Sequence, residues 1–421
     1  MFRTLKTWPG FKMVLTQTRQ ATEDAVGKSP KSDLADIFME FGTRYRKCHN
    51  IPLIQHRVMR AVTNCRTSQL GGHMKKCSSC GHEHPTYNSC GNRHCPKCQS
   101  LAKFRWVKKR KEELLPAAYF HNVFTLPHDL NVIARSNKKI IYDILFKSVS
   151  ETLLEFGKNE FRGKIGFVAT LHTWDQKLAQ HIHLHCVIPG GALSSDKKRW
   201  ISTESDSFLF SVRALSNVFR GKFMDYLKKA YAKGDLIFSG KSLSHESNEG
   251  FKILIDELYR KEWIVYSKKP FAGPDKVLDY LGRYTFRTAI SNERIKSVIG
   301  GRVKFVYRDR RDDNRKKEIT LSADEFIRRY LLHVLPNSYM RIRHFGFLSN
   351  RSRKGNIMRV KKLLGVSIDI EEKSEQSMEE IMLELTGKDI LRCPQCKAGT
   401  MAFYQLIPGF NRRTGRSYRG P

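Results

Sequence analysis

Residues 181–191 read HIHLHCVIPGG, three histidines at every second position followed by an apolar run and a glycine pair. On a β-strand successive side chains face opposite ways, so His181, His183 and His185 share one side of a sheet and Ile182 and Leu184 the other. One apolar face suits a strand packed on helices. A row of three imidazoles on the other face has three readings. It can hold a metal, act on a phosphate, or decorate a surface.

Working outward, short β-rich runs precede this strand, HNVFTLP at 121–127 and IGFVATLHTW at 165–174. Between them NVIARSNKKIIYDILFKSVSETLLEFG has helical spacing, and SVRALSNVFRGKFMDYLKKAYAKG at 211–234 predicts a second long amphipathic helix. After Pro274, KVLDYLGRYTFRTAI reads as a helix with proline at its first position. A hairpin, RVKFVYRDRRDDNRKKEITL, and a helix, ADEFIRRYLLHVL, follow. Strands and helices mixed in this order predict an α+β fold, a mainly antiparallel sheet covered by helices. Toward the N-terminus, DLADIFMEFGTRY predicts a helix with Ser32 as N-cap. The expected division is an extension over 1–31, a small zinc-binding domain over 32–115, the sheet-containing domain over 116–340, and a basic C-terminal region over 341–421.

Across 421 residues, 76 lysines and arginines face 41 aspartates and glutamates, a formal net charge of +35. Such a surplus is the footprint of a polyanion partner, because phosphates release condensed counterions to clustered cations. No stretch of eighteen apolar residues occurs, and the first twenty residues lack the apolar core of a signal peptide. A soluble intracellular protein with reduced cysteines is the expectation. Six of its ten cysteines, Cys65, Cys77, Cys80, Cys90, Cys95 and Cys98, fall in one window, which in a reducing compartment indicates metal. Cys77-x2-Cys80 and Cys95-x2-Cys98 can present two thiolates each, the tetrahedral set of a structural zinc. Cys65, His73, Cys90 and His94 are candidates for a second, interleaved zinc. Cys393-x2-Cys396 has no second pair downstream, and His333 or His344 are candidates to complete it.

In the helix after Pro274, Tyr280, Arg283, Tyr284 and Arg287 are spaced to share one face. Two tyrosines between two arginines make a poor core stripe but a good phosphate site. Guanidinium forks bind phosphate oxygens and favour the nucleophilic phenolate, so Arg283 and Arg287 are expected to contact DNA. Together with a paired-histidine strand, they point to transesterification on DNA, a metal polarising the scissile phosphate while a tyrosine attacks.

The motifs NCRTSQLGGH, YNSCGNRHCPKCQ, VFTLPH, HTWDQKLAQHIHLHCVIPGG, YLGRYTFRTAISNERI and LLHVLPNSYMRIRHFGFL, in this order over residues 40–350, resemble rolling-circle insertion-sequence transposases of the IS91 type. These are HUH endonucleases, named for histidine, hydrophobic residue, histidine. The resemblance implies a zinc-binding domain followed by an HUH nuclease with a central antiparallel sheet flanked by helices. It places the histidine pair on His183 and His185 and the two-tyrosine motif on Tyr280 and Tyr284. Gln176 is the expected third ligand, with His181 and Asn292 behind it. Members nick one DNA strand, form a 5′-phosphotyrosine, leave a 3′-hydroxyl and use magnesium or manganese; the implied setting is the bacterial cytoplasm, associated with the nucleoid. Ile182, Asp175 and Phe286 depart from the pattern without touching the pair or the tyrosines. Two rival functions are a histidine triad nucleotide hydrolase, whose signature HIHLHCV also satisfies, and a non-catalytic zinc-dependent DNA-binding protein.

Overall fold

The computed structural model describes residues 32–204, 207–268, 271, 276, 277, 282, 286–309, 311–366 and 376–410. Helix α1 (Leu34–Cys48) begins one residue later than expected, capped by Asp33 rather than Ser32. The Asp33 carboxylate accepts from the amides of Ala35 and Asp36 at 2.7 and 3.1 Å, and Asp36 returns the bond. An aspartate there also complements the positive end of the helix. Helix α2 (Leu53–Asn64) packs on α1, followed by the hairpin β1 (Gly72–Cys77) and β2 (Glu83–Tyr87) and the basic helix α3 (Gln99–Lys111).

Strand β3 (Tyr119–Thr125) enters the main body, and α4 (Asn131–Ser136) and α5 (Lys138–Phe161) return the chain to β4 (Gly163–Lys164), β5 (Gly166–Trp174) and β6 (Gln180–Pro189). Then come β7 (Gly191–Ser194), β8 (Trp200–Ser202), α6 (Val212–Ala232), α7 (Asn248–Arg260) and β9 (Val265–Lys268). A three-stranded meander, β10 (Ile295–Ile299), β11 (Arg302–Asp309) and β12 (Arg315–Ser322), leads to α8 (Ala323–Leu332) and β13 (Ile342–Gly346). Helices α9 (Arg353–Leu363) and α10 (Met378–Thr386) precede the last strand, β14 (Met401–Ile407).

The central sheet has the order β13-β5-β6-β3-β9 and every pairing in it is antiparallel. The even-numbered face of β6, with Ile182, Leu184, Cys186 and Ile188, joins Phe120 and Phe124 in a core sealed by Ile141, Leu145 and Val149 of α5 and by Phe219 and Phe223 of α6. The odd-numbered face is left for the histidines. A second core combines Ile37, Phe38 and Phe41 of α1 and Val58 and Met59 of α2 with Val303 and Phe305 of β11 and Phe326 and Tyr330 of α8. The helices expected in a separate zinc-binding domain therefore share a core with residues from 289 to 334. Lys138, at the start of α5, ties the two cores by donating to the carbonyls of Leu332 and Val334 at 2.8 and 2.9 Å.

Residues from 341 onward, expected as one basic region, are divided between two sheets. Strand β13 forms the edge of the central sheet, and β14 pairs with β1 in the order β14-β1-β2. Among the described residues, no helix is long and apolar enough to cross a membrane.

Leu184 is fully buried at the centre of the first core. Leu184→Ala should lower unfolding stability by about 2–5 kcal/mol in urea titration, whereas His181→Ala, half-buried on the opposite face, should cost well under about 1 kcal/mol. Equal costs would contradict the assignment of the two faces.

Candidate active site

The histidine face is built by the pairing of β5 with β6. His172 lies opposite His183, and Thr170 opposite His185. This pairing depends on a register shift between His172 and Trp174. Continued unshifted from Trp174 opposite Gln180, the ladder would set His172 against Ile182, on the core face. The extra residue lies on β6, between Gln180 and His183, while β5 alternates without a break, so His172 faces away from Leu171 and toward the side of His183 and His185. The ligand nitrogens of the three buried histidines lie within 4.8 Å of one another. His172 thus joins His183 and His185 in the cluster. Its sequence signal is the alternation of β5, in which Phe167, Ala169 and Leu171 enter the core and His172 faces the other way, and the bulge sets which residue lies opposite it.

Neighbouring groups orient the imidazoles. His183 Nδ1 lies 2.8 Å from the His181 carbonyl, so it is the protonated nitrogen and Nε2 carries the lone pair. His185 Nδ1 lies 3.0 Å from His121 Nε2, with the two rings stacked at 5.2 Å. Burial, aided by the charge of Lys268, pushes the His121 pKa down to about 3, so a neutral His121 can accept the His185 proton. Three converging imidazoles suit a divalent ion and leave positions for phosphate oxygens; nitrogen donors favour a transition ion over magnesium, which holds to oxygen.

The histidines open into a cleft of about 490 Å³ whose walls include Gln176, Lys177, Arg287, Arg308 and Arg311. Gln176 is therefore near the cluster, but its backbone carbonyl accepts from Arg294, which fixes the turn. Asp175 is also part of that turn, its Oδ1 accepting from the amides of Lys177 and Ala179 at 2.8 and 2.7 Å. His181 stacks on His128 at the cleft rim. Asn292 is remote in role, its Oδ1 accepting from the Leu34 amide at the start of α1.

Tyr280, Arg283 and Tyr284 lie outside the described residues. Val277 packs with Tyr119 and with Val187, two residues beyond His185 on the same face of β6. Gly282 meets α3 so closely that a Cβ would come 2.5 Å from a Val107 methyl. Phe286 makes an edge contact with Trp106 at 5.8 Å between ring centres. Arg287, at the end of this segment, lines the cleft.

The cysteines group differently from the expected sets. Cys65, Cys90, Cys95 and Cys98 form one cluster and Cys77, Cys80, Cys393 and Cys396 another. Each CxxC turn supplies two thiols, but spacing alone does not say which pairs meet: Cys77 and Cys80 sit at the tip of the β1–β2 hairpin, Cys95 and Cys98 at the start of α3. In the first cluster the Cys98 Sγ is 3.5 Å from that of Cys65 and 3.6 Å from that of Cys90. A ZnS4 tetrahedron with bonds near 2.3 Å has edges of about 3.8 Å, so these thiols fit zinc. His73 is instead on β1 beside Phe403, and the His94 ring accepts from the Leu335 amide at 3.4 Å. His333 is buried between Thr173 and Leu178, with its pKa lowered to about 3 chiefly by burial, and His344 is on β13 of the central sheet, so neither joins Cys393.

An antiparallel sheet with a histidine cluster, a cationic cleft and a cysteine-rich N-terminal module is an arrangement suited to a polyanion and to bound metal. Comparison with known proteins agrees. Residues 166–355 match a family described as "Putative transposase", and residues 37–126 match the "Transposase zinc-binding domain". The chain is 44% identical to "Putative transposase y4qJ" of Sinorhizobium fredii, covering 90% of this chain and 96% of that protein. It is 30% identical to the transposase of insertion sequence element IS801 from Pseudomonas savastanoi pv. phaseolicola, over 68% of each. Among solved structures, a metal-free conjugative relaxase TrwC bound to oriT DNA aligns over 39% of this chain and 71% of its own at 16% identity, with a TM-score of 0.23. The chain belongs to the IS91-type insertion-sequence transposases. Membership overturns the histidine triad alternative.

Titration of the purified protein with Mn²⁺ should separate the two candidates for the third ligand. His172→Ala should remove measurable binding at the histidine cluster, and Gln176→Ala should leave it nearly intact. His121→Ala should weaken it roughly 10- to 100-fold, the usual effect of removing a group that orients a metal-binding histidine. Unchanged affinity in His172→Ala would return the third position to Gln176.

Proposed function

We propose that the cleft nicks single-stranded DNA and rejoins it, in a rolling-circle type of transposition, through covalent attachment to Tyr280 or Tyr284. The observation that carries this reading is the buried cluster of His172, His183 and His185 at the floor of a cation-lined cleft in a transposase chain. A divalent ion held by these three imidazoles would supply Lewis-acid polarisation of the scissile phosphate. His121 and the His181 carbonyl keep His185 and His183 turned toward the cleft. Lys177, Arg287, Arg308 and Arg311 offer positive charge along the cleft for the DNA backbone.

The tyrosine oxygen forms a bond to phosphorus as the bond from phosphorus to the 3′ oxygen breaks. The tyrosine loses its proton to solvent or base, and the departing 3′ oxygen takes one up. One phosphodiester is exchanged for another, so the bond energy is kept in the phosphotyrosine and a 3′-hydroxyl can reverse the step when strands are rejoined. Val277, Gly282 and Phe286 interleave with the two tyrosines in sequence and are anchored against β6 and α3, which supports delivery of a tyrosine to the histidine face.

The reading is tested with a labelled single-stranded oligonucleotide carrying an element end and Mn²⁺ or Mg²⁺. A protein–DNA adduct that survives denaturation is expected. Tyr280→Phe and Tyr284→Phe should each lower its yield, both together should abolish it, and so should His183→Ala with His185→Ala. An adduct formed by the double tyrosine variant would overturn the nucleophile, and salt-sensitive DNA binding without any adduct would favour a non-catalytic DNA-binding role.

A further inference from the structure

The second cysteine cluster lies outside the histidine site and joins two distant parts of the chain. Cys77 and Cys80 belong to the β1–β2 hairpin; Cys393 and Cys396 precede β14, beyond both family-matched regions. The Sγ atoms of Cys77 and Cys396 are 3.6 Å apart, and those of Cys80 and Cys393 are 3.7 Å apart, although the residues are 319 and 313 positions apart in sequence. These separations are far too long for a disulfide, near 2.05 Å, and match the edges of a ZnS4 tetrahedron at about 3.8 Å.

Both turns are shaped as metal knuckles. The amides of Ser79 and Cys80 donate to Cys77 Sγ at 3.4 and 3.5 Å, and the Gly399 amide donates to Cys396 Sγ at 3.4 Å. Such bonds favour thiolate, the form that binds metal. The turns also interlock: the Ser78 amide donates to the Thr400 carbonyl, and the Thr400 amide to Ser78 Oγ, both at 3.0 Å. Gly399 is needed where it stands, since a Cβ there would lie 2.4 Å from Cys77 Sγ.

Apolar burial does not account for the closure. The cluster at this end contains only Cys77, Cys393 and Met401, with Cys396 beside it, and residues 402–406 of β14 are exposed on both faces. Beyond the ladder of backbone bonds, Lys76 lies over the exposed Tyr404 ring at 4.7 Å and His73 beside Phe403, so the four thiols are the main buried group joining this end of β14 to β1.

We propose that Cys77, Cys80, Cys393 and Cys396 bind a zinc ion of their own, a clasp that fastens the last strand of the chain onto the hairpin near its beginning. The three-stranded sheet β14-β1-β2 then exists as a unit only when the clasp is loaded.

Metal analysis of the full-length protein tests this. Wild type should hold two zinc ions per chain. Cys393→Ser with Cys396→Ser should hold one, Cys77→Ser with Cys80→Ser should also hold one, and all four substitutions together should still hold one, because both pairs serve the same ion. Hydrogen exchange should show lost protection at residues 72–77 and 401–407 in the Cys393/Cys396 variant, with β5 and β6 unchanged, which separates loss of the clasp from general unfolding. Retention of two zinc ions by the Cys393/Cys396 variant would overturn the clasp. So would a fall to zero in the fourfold variant with β5 and β6 still protected.

Discussion

The bulge between His172 and Trp174 is the constraint on which the site depends. Its extra residue, on β6, brings the two strands into the register that pairs Leu171 with Leu184 in the core and His172 with His183 on the polar face. Because side chains in a ladder alternate with a period of two, a shift of one residue inverts everything beyond it. Without the extra residue, the ladder continued from Trp174 opposite Gln180 would pair His172 with Ile182 instead of His183. The histidine cluster is thus a product of register as much as of residue identity.

What holds that register is a chain of contacts from the first cysteine cluster. Cys65, Cys95 and Tyr330 are buried in the same core, and the Tyr330 hydroxyl donates to the His94 carbonyl, beside Cys95. One turn further along, His333 bonds Thr173, the residue at the bulge, and Leu178, in the turn that follows. Leu178 itself, with a positive φ of 62°, is fully buried in that core. A zinc ion in the cluster of Cys65, Cys90, Cys95 and Cys98 would therefore steady α8 and, through it, the turn between the two histidine strands. This gives a physical reason for a structural metal module in a chain whose chemistry lies elsewhere: the two parts share a core.

Much of this was legible in the sequence where a local rule governs it. Alternation in HIHLHCVI assigned the faces of β6, and the N-cap and periodic signals located the starts of α1, α6 and α8 to within a residue. The misses have a common cause, partners set by long-range geometry. Cys77-x2-Cys80 and Cys95-x2-Cys98 look like one site because they are close in sequence, yet the hairpin points the first pair away and the end of the chain meets it. Gln176, the third ligand implied by the family resemblance, lines the cleft, and its carbonyl and that of Lys177 anchor the turn. No periodicity could have shown that β14 belongs beside β1.

The electrostatics follow the same logic. Several buried cations are matched to carbonyl and amide oxygens rather than carboxylates. Lys138 donates to Leu332 and Val334, Arg294 to Val306 and Gln176, and Arg341 to Arg287 and Gln99. Burial lowers their pKa values, to about 8 for Lys138 and about 10 for the two arginines. Carbonyl dipoles satisfy the hydrogen-bond donors without cancelling the charge, so the interior reinforces the surface surplus of cations. Carboxylate partners such as Glu325, bonded to Arg328 and Arg329, lie mainly toward solvent, where a pair contributes little to stability. Positive charge held by neutral oxygens is suited to an enzyme whose polyanionic substrate enters and leaves, because the protein stays folded without the phosphate and still attracts it.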